Sequence, residues 1–277
     1  MTVLGSSGGP SALEAVVLSL DEVQFLREKL DLDDLPVVLN AYARFDSVPA
    51  HQAAMGTAAE SLEQRDLLID GGVQPDLEDR LRVLNRPHWI VAMRLIVDGY
   101  VSRFCLAKGD DLSVVALRGQ DSYVIDEVGI DLAGTVIAAL GTAKPLELYG
   151  MNAPTEELAT IFEDIGDTTA TADRLAKVGN PAQDAQTLAS AVVEIHSHAQ
   201  ITAVLYGDGT RDIVDNHIAV FNTRNGRFIS TASVADDGTK WSSLASGTPA
   251  RLRAAVEDLI HSLPEREEFP RHPTLSG

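Results

Sequence analysis

Cysteine is almost absent from these 277 residues. Cys105 stands alone, which excludes an internal disulfide and a multi-cysteine zinc site. Basic charge is scarce too: Lys and Arg number 22 against 41 Asp and Glu, a formal net charge of −19. Such a chain repels phosphate backbones and anionic lipid, so nucleic acid and membrane surfaces are poor partners for it. No window approaches the roughly 18 unbroken apolar residues of a membrane span. The opening MTVLGSSGGPSALEA lacks the basic start and apolar stretch of a secretory signal, so a cytoplasmic location is expected. The common catalytic signatures are missing as well: no GxxxxGK[ST], no GxGxxG after a strand, no HExxH. Gly5-Ser6-Ser7-Gly8-Gly9 has the letters of a nucleophile elbow. It falls in a Gly- and Ser-rich arm beside Pro10, not between a strand and a helix, and reads as a flexible leader.

Apolar types make up 45% of the chain and mean hydropathy is +0.01, enough to bury a sizeable core. At roughly 150 residues per domain, the length suits two domains or one domain built from two similar halves. In the first half, EAVVLSL (14–20) reads as a strand. Ser19 and Glu22 then form a capping box for the helix DEVQFLREKL. A helical pattern runs from Pro49 to Ile69 through Met55 and Leu62, and PDLEDRLRVLNRP (75–87) is a helix with proline at its start and after its end. HWIVAMRLIV and YVSRFCLAKG are strands joined by Asp98-Gly99, a pair that supplies the positive φ angles of a tight hairpin. LSVVALRG and SYVIDEV complete a four-stranded meander, and IDLAGTVIAALG is a helix ending at glycine.

The second half repeats this order. Helices over 155–166, 169–179 and PAQDAQTLASA precede strands AVVEIHSHAQITAVLYGDG, IVDNHIAVFNTRNG, RFISTASVADDG and TKWSSLASG, with Asn225-Gly226 as a hairpin turn. The last helix, TPARLRAAVEDLIHSLP, places Leu252, Val256, Leu259 and Leu263 on one face. The pattern predicts an α+β fold with a quasi-two-fold internal duplication, a central twisted antiparallel β-sheet and flanking helical bundles. The halves are 1–145 and 146–264, forming one structural domain, with 265–277 as a flexible tail.

Chemistry-bearing residues are few. His196 and His198 lie two apart on a strand, so both imidazoles could face one ion, with Glu194 or His217 as a third ligand. This leaves a metal-dependent or small-ligand enzyme as an alternative to a binding protein. The competing structural reading is a polar strand face with an ordinary histidine pair. Asp208-Gly209-Thr210-Arg211-Asp212 resembles a calcium loop but lacks the ligand at its third position and the distant bidentate Glu, so a hairpin turn is expected. Asp31, Asp33 and Asp34 read as a solvated loop, and Cys105 as a core residue, since no basic cluster surrounds it. Arg94 and Arg103, near the first hairpin, could meet an acidic ligand, but arginines on a half-exposed sheet face are common and that reading is favoured.

The second meander resembles a known family. Val193-Glu194-Ile195, Gly226-Arg227, Asp237-Gly238, Trp241-Ser242-Ser243, Ser246-Gly247 and Ser262-Leu263-Pro264 follow the order and spacing seen in the EspG family, the ESX (type VII) secretion-associated chaperones of actinobacteria. The first half fits more loosely, through LPVVLNA, Trp89 and VVALR. The resemblance implies a cytoplasmic, non-catalytic chaperone with no cofactor. It would bind PE–PPE heterodimers, cover the apolar tip of the PPE protein, keep the dimer soluble and target it to its ESX channel. It also implies that the client sits against the sheet and the C-terminal half, with Glu194 on the client side and Ser230, Ser233 and Ala235 on the adjacent contact strand. The loop between the first two strands is a further contact in members where it is long; here it is only Asp98-Gly99.

Overall fold

The computed structural model describes residues 13–42, 45–207 and 210–264. The Gly5–Gly9 motif, the Asp208-Gly209 pair of the calcium-like loop and the tail 265–277 lie outside the described residues. The chain forms two compact units. The first holds the described residues up to Ile90 together with Arg103–Ile130; the second holds Val91–Ser102 and the described residues from Asp131 onward.

The first unit begins with strand β1 (Val16–Ser19) and helix α1 (Leu20–Lys29). The capping box forms as expected: Glu22 N donates to Ser19 Oγ at 3.1 Å and Ser19 N donates to Glu22 Oε2 at 2.7 Å. A 3-10 turn (Val37–Leu39) and helix α2 (Val48–Gln64) follow. The helix stops five residues short of Ile69. Asp70 and Gly71 take positive φ, at 51° and 80°, and fold Leu68–Ile69 (β2) against Gly72–Val73 (β3) as a small hairpin. Asp-Gly turn chemistry outweighs the helical spacing of the apolar residues there. Helix α3 (Pro75–Asn85) leads into β4 (Trp89–Val97), β5 (Tyr100–Lys108), β6 (Ser113–Arg118) and β7 (Ser122–Glu127). Within this unit β1, β7, β6 and the Arg103–Lys108 part of β5 lie side by side in that order, with β1 antiparallel to β7. Asp98 and Gly99, at φ 49° and 82°, make the expected tight turn. Cys105 is fully buried, and burial pushes its thiol pKa up, as suits a core residue.

The second unit holds α4 (Leu132–Ala139), β8 (Met151–Pro154), α5 (Thr155–Glu163), α6 (Thr168–Val178), α7 (Ala185–Val192), β9 (Ile195–Tyr206), β10 (Arg211–Thr223), β11 (Gly226–Val234), β12 (Lys240–Ser246) and α8 (Pro249–His261). Its order is β4-β9-β10-β11-β12-β8. Leu158, Ile161, Leu175, Leu188, Phe228 and Leu244 belong to one apolar core, so α5, α6 and α7 pack on one face of this sheet. Leu252, Val256, Leu259 and Leu263 are all buried, as the spacing of α8 predicts.

The architecture is α+β, a large antiparallel sheet with helices, as expected from the pattern of elements. Apart from the β2–β3 hairpin between α2 and α3, the succession strand, three helices, four strands, helix occurs twice among the described residues. In both passes the leading strand pairs with the fourth strand of the meander, β1 with β7 and β8 with β12. The strand at Met151–Pro154 has no counterpart among the elements expected from sequence.

Candidate functional site

Of the contact residues that the family resemblance singles out, Ser230 and Ser233 lie on β11, between β10 and β12. Register shows which of them share a face. His198, Phe221 and Phe228 form one cross-strand row; Gln200, Ala219, Ser230 and Leu244 form the next row on the same face. Phe221 stacks on Phe228 at 4.7 Å and meets the edge of Phe162, from α5, at 6.4 Å. Ser230 therefore lies, half-buried, on the face that carries α5. Ser233 pairs with Trp241, is exposed, and points to the opposite face. Ala235 lies past the end of β11, in the connection to β12, where its N–H donates to Thr239 O at 2.9 Å. The three do not form one contact row.

Glu194 is not on a strand. It occupies the turn between α7 and β9, and its backbone carbonyl accepts from Arg224 N at 3.2 Å. Its carboxylate sits 3.5 Å from Arg224 Nη1, with both side chains well exposed. Helix α7 runs to Val192, and Val193-Glu194, which the motif assigned to the strand start, form the turn after it. Asp98 and Gly99 are exposed at the tip of the β4–β5 hairpin, between Val97 and Tyr100, which are 40% and 64% exposed.

The histidine reading finds no support. Among the described residues no three His, Cys, Asp or Glu side chains come together as a metal-binding group. His198 stacks against Phe221 at 6.4 Å, Glu194 is paired with Arg224, and His217 stands opposite Thr202, four positions along β9 from His198. Arg103 stands opposite Arg118, whose guanidinium lies 5.7 Å from the Tyr123 ring centre. In the first unit a cleft is lined by Ser19, Glu22, Ser61 and Arg65, and these groups satisfy one another. Glu22, almost fully buried, accepts from Ser61 Oγ at 2.8 Å and from Arg65 Nη1 at 3.0 Å.

The Asn225-Gly226 turn is shifted by one residue. Thr223 pairs with Gly226, so the two turn residues are Arg224 and Asn225. Gly226 takes φ 136°, and a Cβ there would lie 2.6 Å from Leu146 N, where the chain at Pro145 bridges to Arg227. The glycine is needed for close backbone approach as well as for its φ. Arg227 beside it is buried; its Nε donates to Asn222 Oδ1 at 2.7 Å and its Nη2 to Leu140 O at 3.0 Å. Burial pulls its guanidinium pKa down.

Sequence reasoning missed one feature of this sheet. The β10–β11 pairing stops at Ile218–Thr231. Below that point β10 continues against β9 alone, through an irregularity between Ile213 and His217. Strand β11 continues against β12 alone, through Ala232–Ser242, Ser233–Trp241 and Val234–Lys240. The sheet forks there. Ile213 and Val234, on its two arms, are 72% and 50% exposed. The alternation of IVDNHIAV gives no hint of it, since a bulge leaves apolar spacing almost unchanged.

What this geometry offers is a contact surface built on a sheet and its flanking helices. Comparison with known proteins assigns the class. The model of the EspG family matches residues 19–258, and the chain belongs to that family. It is 25% identical over 267 residues to the ESX-1 secretion-associated protein EspG1 of Mycobacterium tuberculosis, covering 94% of this chain and 91% of the relative. It is 24% identical over 271 residues to the ESX-3 secretion-associated protein EspG3 of Mycolicibacterium smegmatis, covering 96% and 92%. Its fold is similar to that of the type VII secretion system chaperone EspG5 of Mycobacterium tuberculosis, solved in complex with a PE25-PPE41 dimer. The TM-score is 0.73 at 16% identity, over 90% of this chain and 97% of that one.

Proposed function

We propose that this chain is a cytoplasmic, non-catalytic chaperone that binds a PE–PPE heterodimer, keeps it soluble and targets it to an ESX (type VII) secretion system. The observation that carries this reading is the EspG family match over 19–258, joined to the fold it shares with an EspG solved on such a dimer. Physical chemistry supports it. An exposed apolar tip on a client aggregates unless it is covered, and a carrier with net charge −19 keeps the pair soluble. No helix among the described residues is long and apolar enough to cross a membrane. The repeated succession of elements supports an internal duplication into halves 1–145 and 146–264.

Glu194, Ser230, Ser233 and Ala235 are the proposed client contacts, with Asp98-Gly99 as a minor one. Co-expression with any PE–PPE pair encoded beside it, followed by size exclusion, tests the function. A stoichiometric complex is expected, and elution of this chain apart from the PE–PPE dimer would refute it. Glu194→Arg tests the surface. Its side chain is exposed, so the change costs stability within about 0.5 kcal/mol. It also sets two cations side by side with Arg224 at the rim of the interface. Client pull-down is expected to fail while Tm stays near wild type; undiminished pull-down would remove Glu194 from the interface.

A further inference from the structure

The fork between β10 and β11 leaves two backbone edges without a strand between them. Continued beyond Ile218–Thr231, the register would bring His217 against Ala232, Asn216 against Ser233 and Asp215 against Val234; the pairing ends before any of these. The cause lies on β10. Between Val204–Ile213 and Thr202–His217, strand β9 advances by two residues and β10 by four, so β10 carries two extra residues among Val214, Asp215 and Asn216. Such a bulge bends the strand that holds it and raises its twist, and here β10 parts from β11. Arg211 lies over the Tyr206 ring at 5.6 Å and ties the far end of β10 to β9.

Open edges of this kind template another strand. Natural sheets blunt them with charge, cover them, or use them to take up an extended peptide. Here each arm carries a large exposed apolar side chain, Ile213 on one and Val234 on the other. The surrounding charges are Asp212, Asp215, Asp236 and Asp237 against Arg211 and Lys240, all on exposed residues. Asp237 is held below the usual carboxylate range by hydrogen bonds from Thr239, first from its backbone N–H. The fork is apolar at its two arms and acidic around them.

We infer that the fork is a seat for an extended segment of the client, apolar in its middle and flanked by Lys or Arg, which pairs with the free edge of β10 over Arg211–His217 or of β11 over Ala232–Val234. This rests on the chaperone reading above and adds the mode of contact to it. Ser233 lies on one of these edges and Ala235 directly beyond it, so both would meet a strand added there, whereas Ser230 is paired with Ala219 inside the sheet.

The test is amide hydrogen exchange on the full chain, alone and in complex with the co-expressed PE–PPE dimer. At least tenfold slower exchange is expected in the peptides covering Ile213–His217 or Ala232–Val234 once the dimer is bound. A stable complex with unchanged exchange at both edges overturns the strand-addition mode and leaves the chaperone reading standing. Failure of the dimer to bind at all overturns that reading and this inference with it. A second arm uses Ile213→Asp combined with Val234→Asp, both at exposed positions, with Ile130→Asp as a control at a fully exposed site in the first unit. The double variant is expected to bind the dimer at least tenfold more weakly and the control as wild type. Equal binding by the double variant also overturns the inference.

Discussion

The two units treat their sheets in opposite ways. In the first, the outer strand β1 is closed off by side chains. Arg65 Nη2 donates to Val17 O, and the carboxylate of Glu22 takes the Ser19 N–H. Arg80, 1% exposed, donates to the carbonyls of Leu13, Glu14 and Ile125 and so ties the chain entering β1 to β7. In the second unit the interior of the sheet is left open, where β10 and β11 part with exposed Ile213 and Val234 on their arms. Charged groups in the first unit are spent on holding backbone; in the second several stand around an unfilled gap. A buried polar group paired in this way supports the fold, whereas an unfilled backbone edge is a liability unless something occupies it. The proposed client contacts all fall in the second unit, the one with the open edges.

The largest effect that sharpens this contrast is expected at Arg80. Arg80→Ala strands three backbone carbonyls and empties a fully buried site, at a cost of about 3 kcal/mol. Arg80→Lys is expected to recover less than half of that, because an ammonium cannot reach the three acceptors as a planar fork does. Urea midpoints of the two variants measure both losses. Neither substitution is expected to change client affinity, once measured below the unfolding transition. An affinity loss as large as that of the fork variants would break the division of labour between the units.

Glycine turns give a second, smaller test. Gly99 takes φ 82° and has nothing within 4 Å of where a Cβ would sit, whereas Gly226 takes φ 136° and has Leu146 N 2.6 Å from that point. Gly99→Ala therefore meets only backbone strain, about 1 kcal/mol. Gly226→Ala adds a clash with backbone that has no room to give, and is expected to cost about 2 kcal/mol or more. Equal losses in thermal unfolding would mean that the Pro145–Arg227 bridge yields easily and that the second unit is looser there than its contacts indicate.

Much of this fold was legible because local chemistry and long-range packing agree. Ser19 with Glu22, Asp98-Gly99, and the Leu252, Val256, Leu259 stripe each specify the same element from two directions. The misses occur where they disagree. Met151–Pro154 is four residues long, ends in proline and has β12 as its partner, so nothing local marks it as a strand. Val193-Glu194 reads as a strand start by spacing, but α7 runs up to it and the strand begins at Ile195. The surface was legible only as a family pattern. Which residues share a face or an edge depends on register, and two extra residues in β10 change that without altering composition.

Acid provides the finest test, on the helices of the second unit. Asp131 caps α4 by accepting from Gly134 N at 2.9 Å and receives both terminal nitrogens of Arg253, from α8, at 3.0 and 3.2 Å. The hydrogen bonds from Arg253, and then from Gly134, hold its carboxyl below the usual aspartate range. In the folded chain it is thus still charged at a pH where the unfolded chain has begun to take up a proton. Its contribution is complete above the unfolded value, about 4, and is lost as pH falls through the lower folded value. Asp131→Asn removes this, so wild type and variant should differ in Tm at neutral pH and converge in strong acid. The pair is exposed and screened by salt, so the gap at neutral pH is expected to be the smallest of these effects and to narrow at high ionic strength. A gap that persists unchanged into strong acid would show that Asp131 serves α4 as a neutral cap, with Arg253 contributing nothing to the packing of α8 on it.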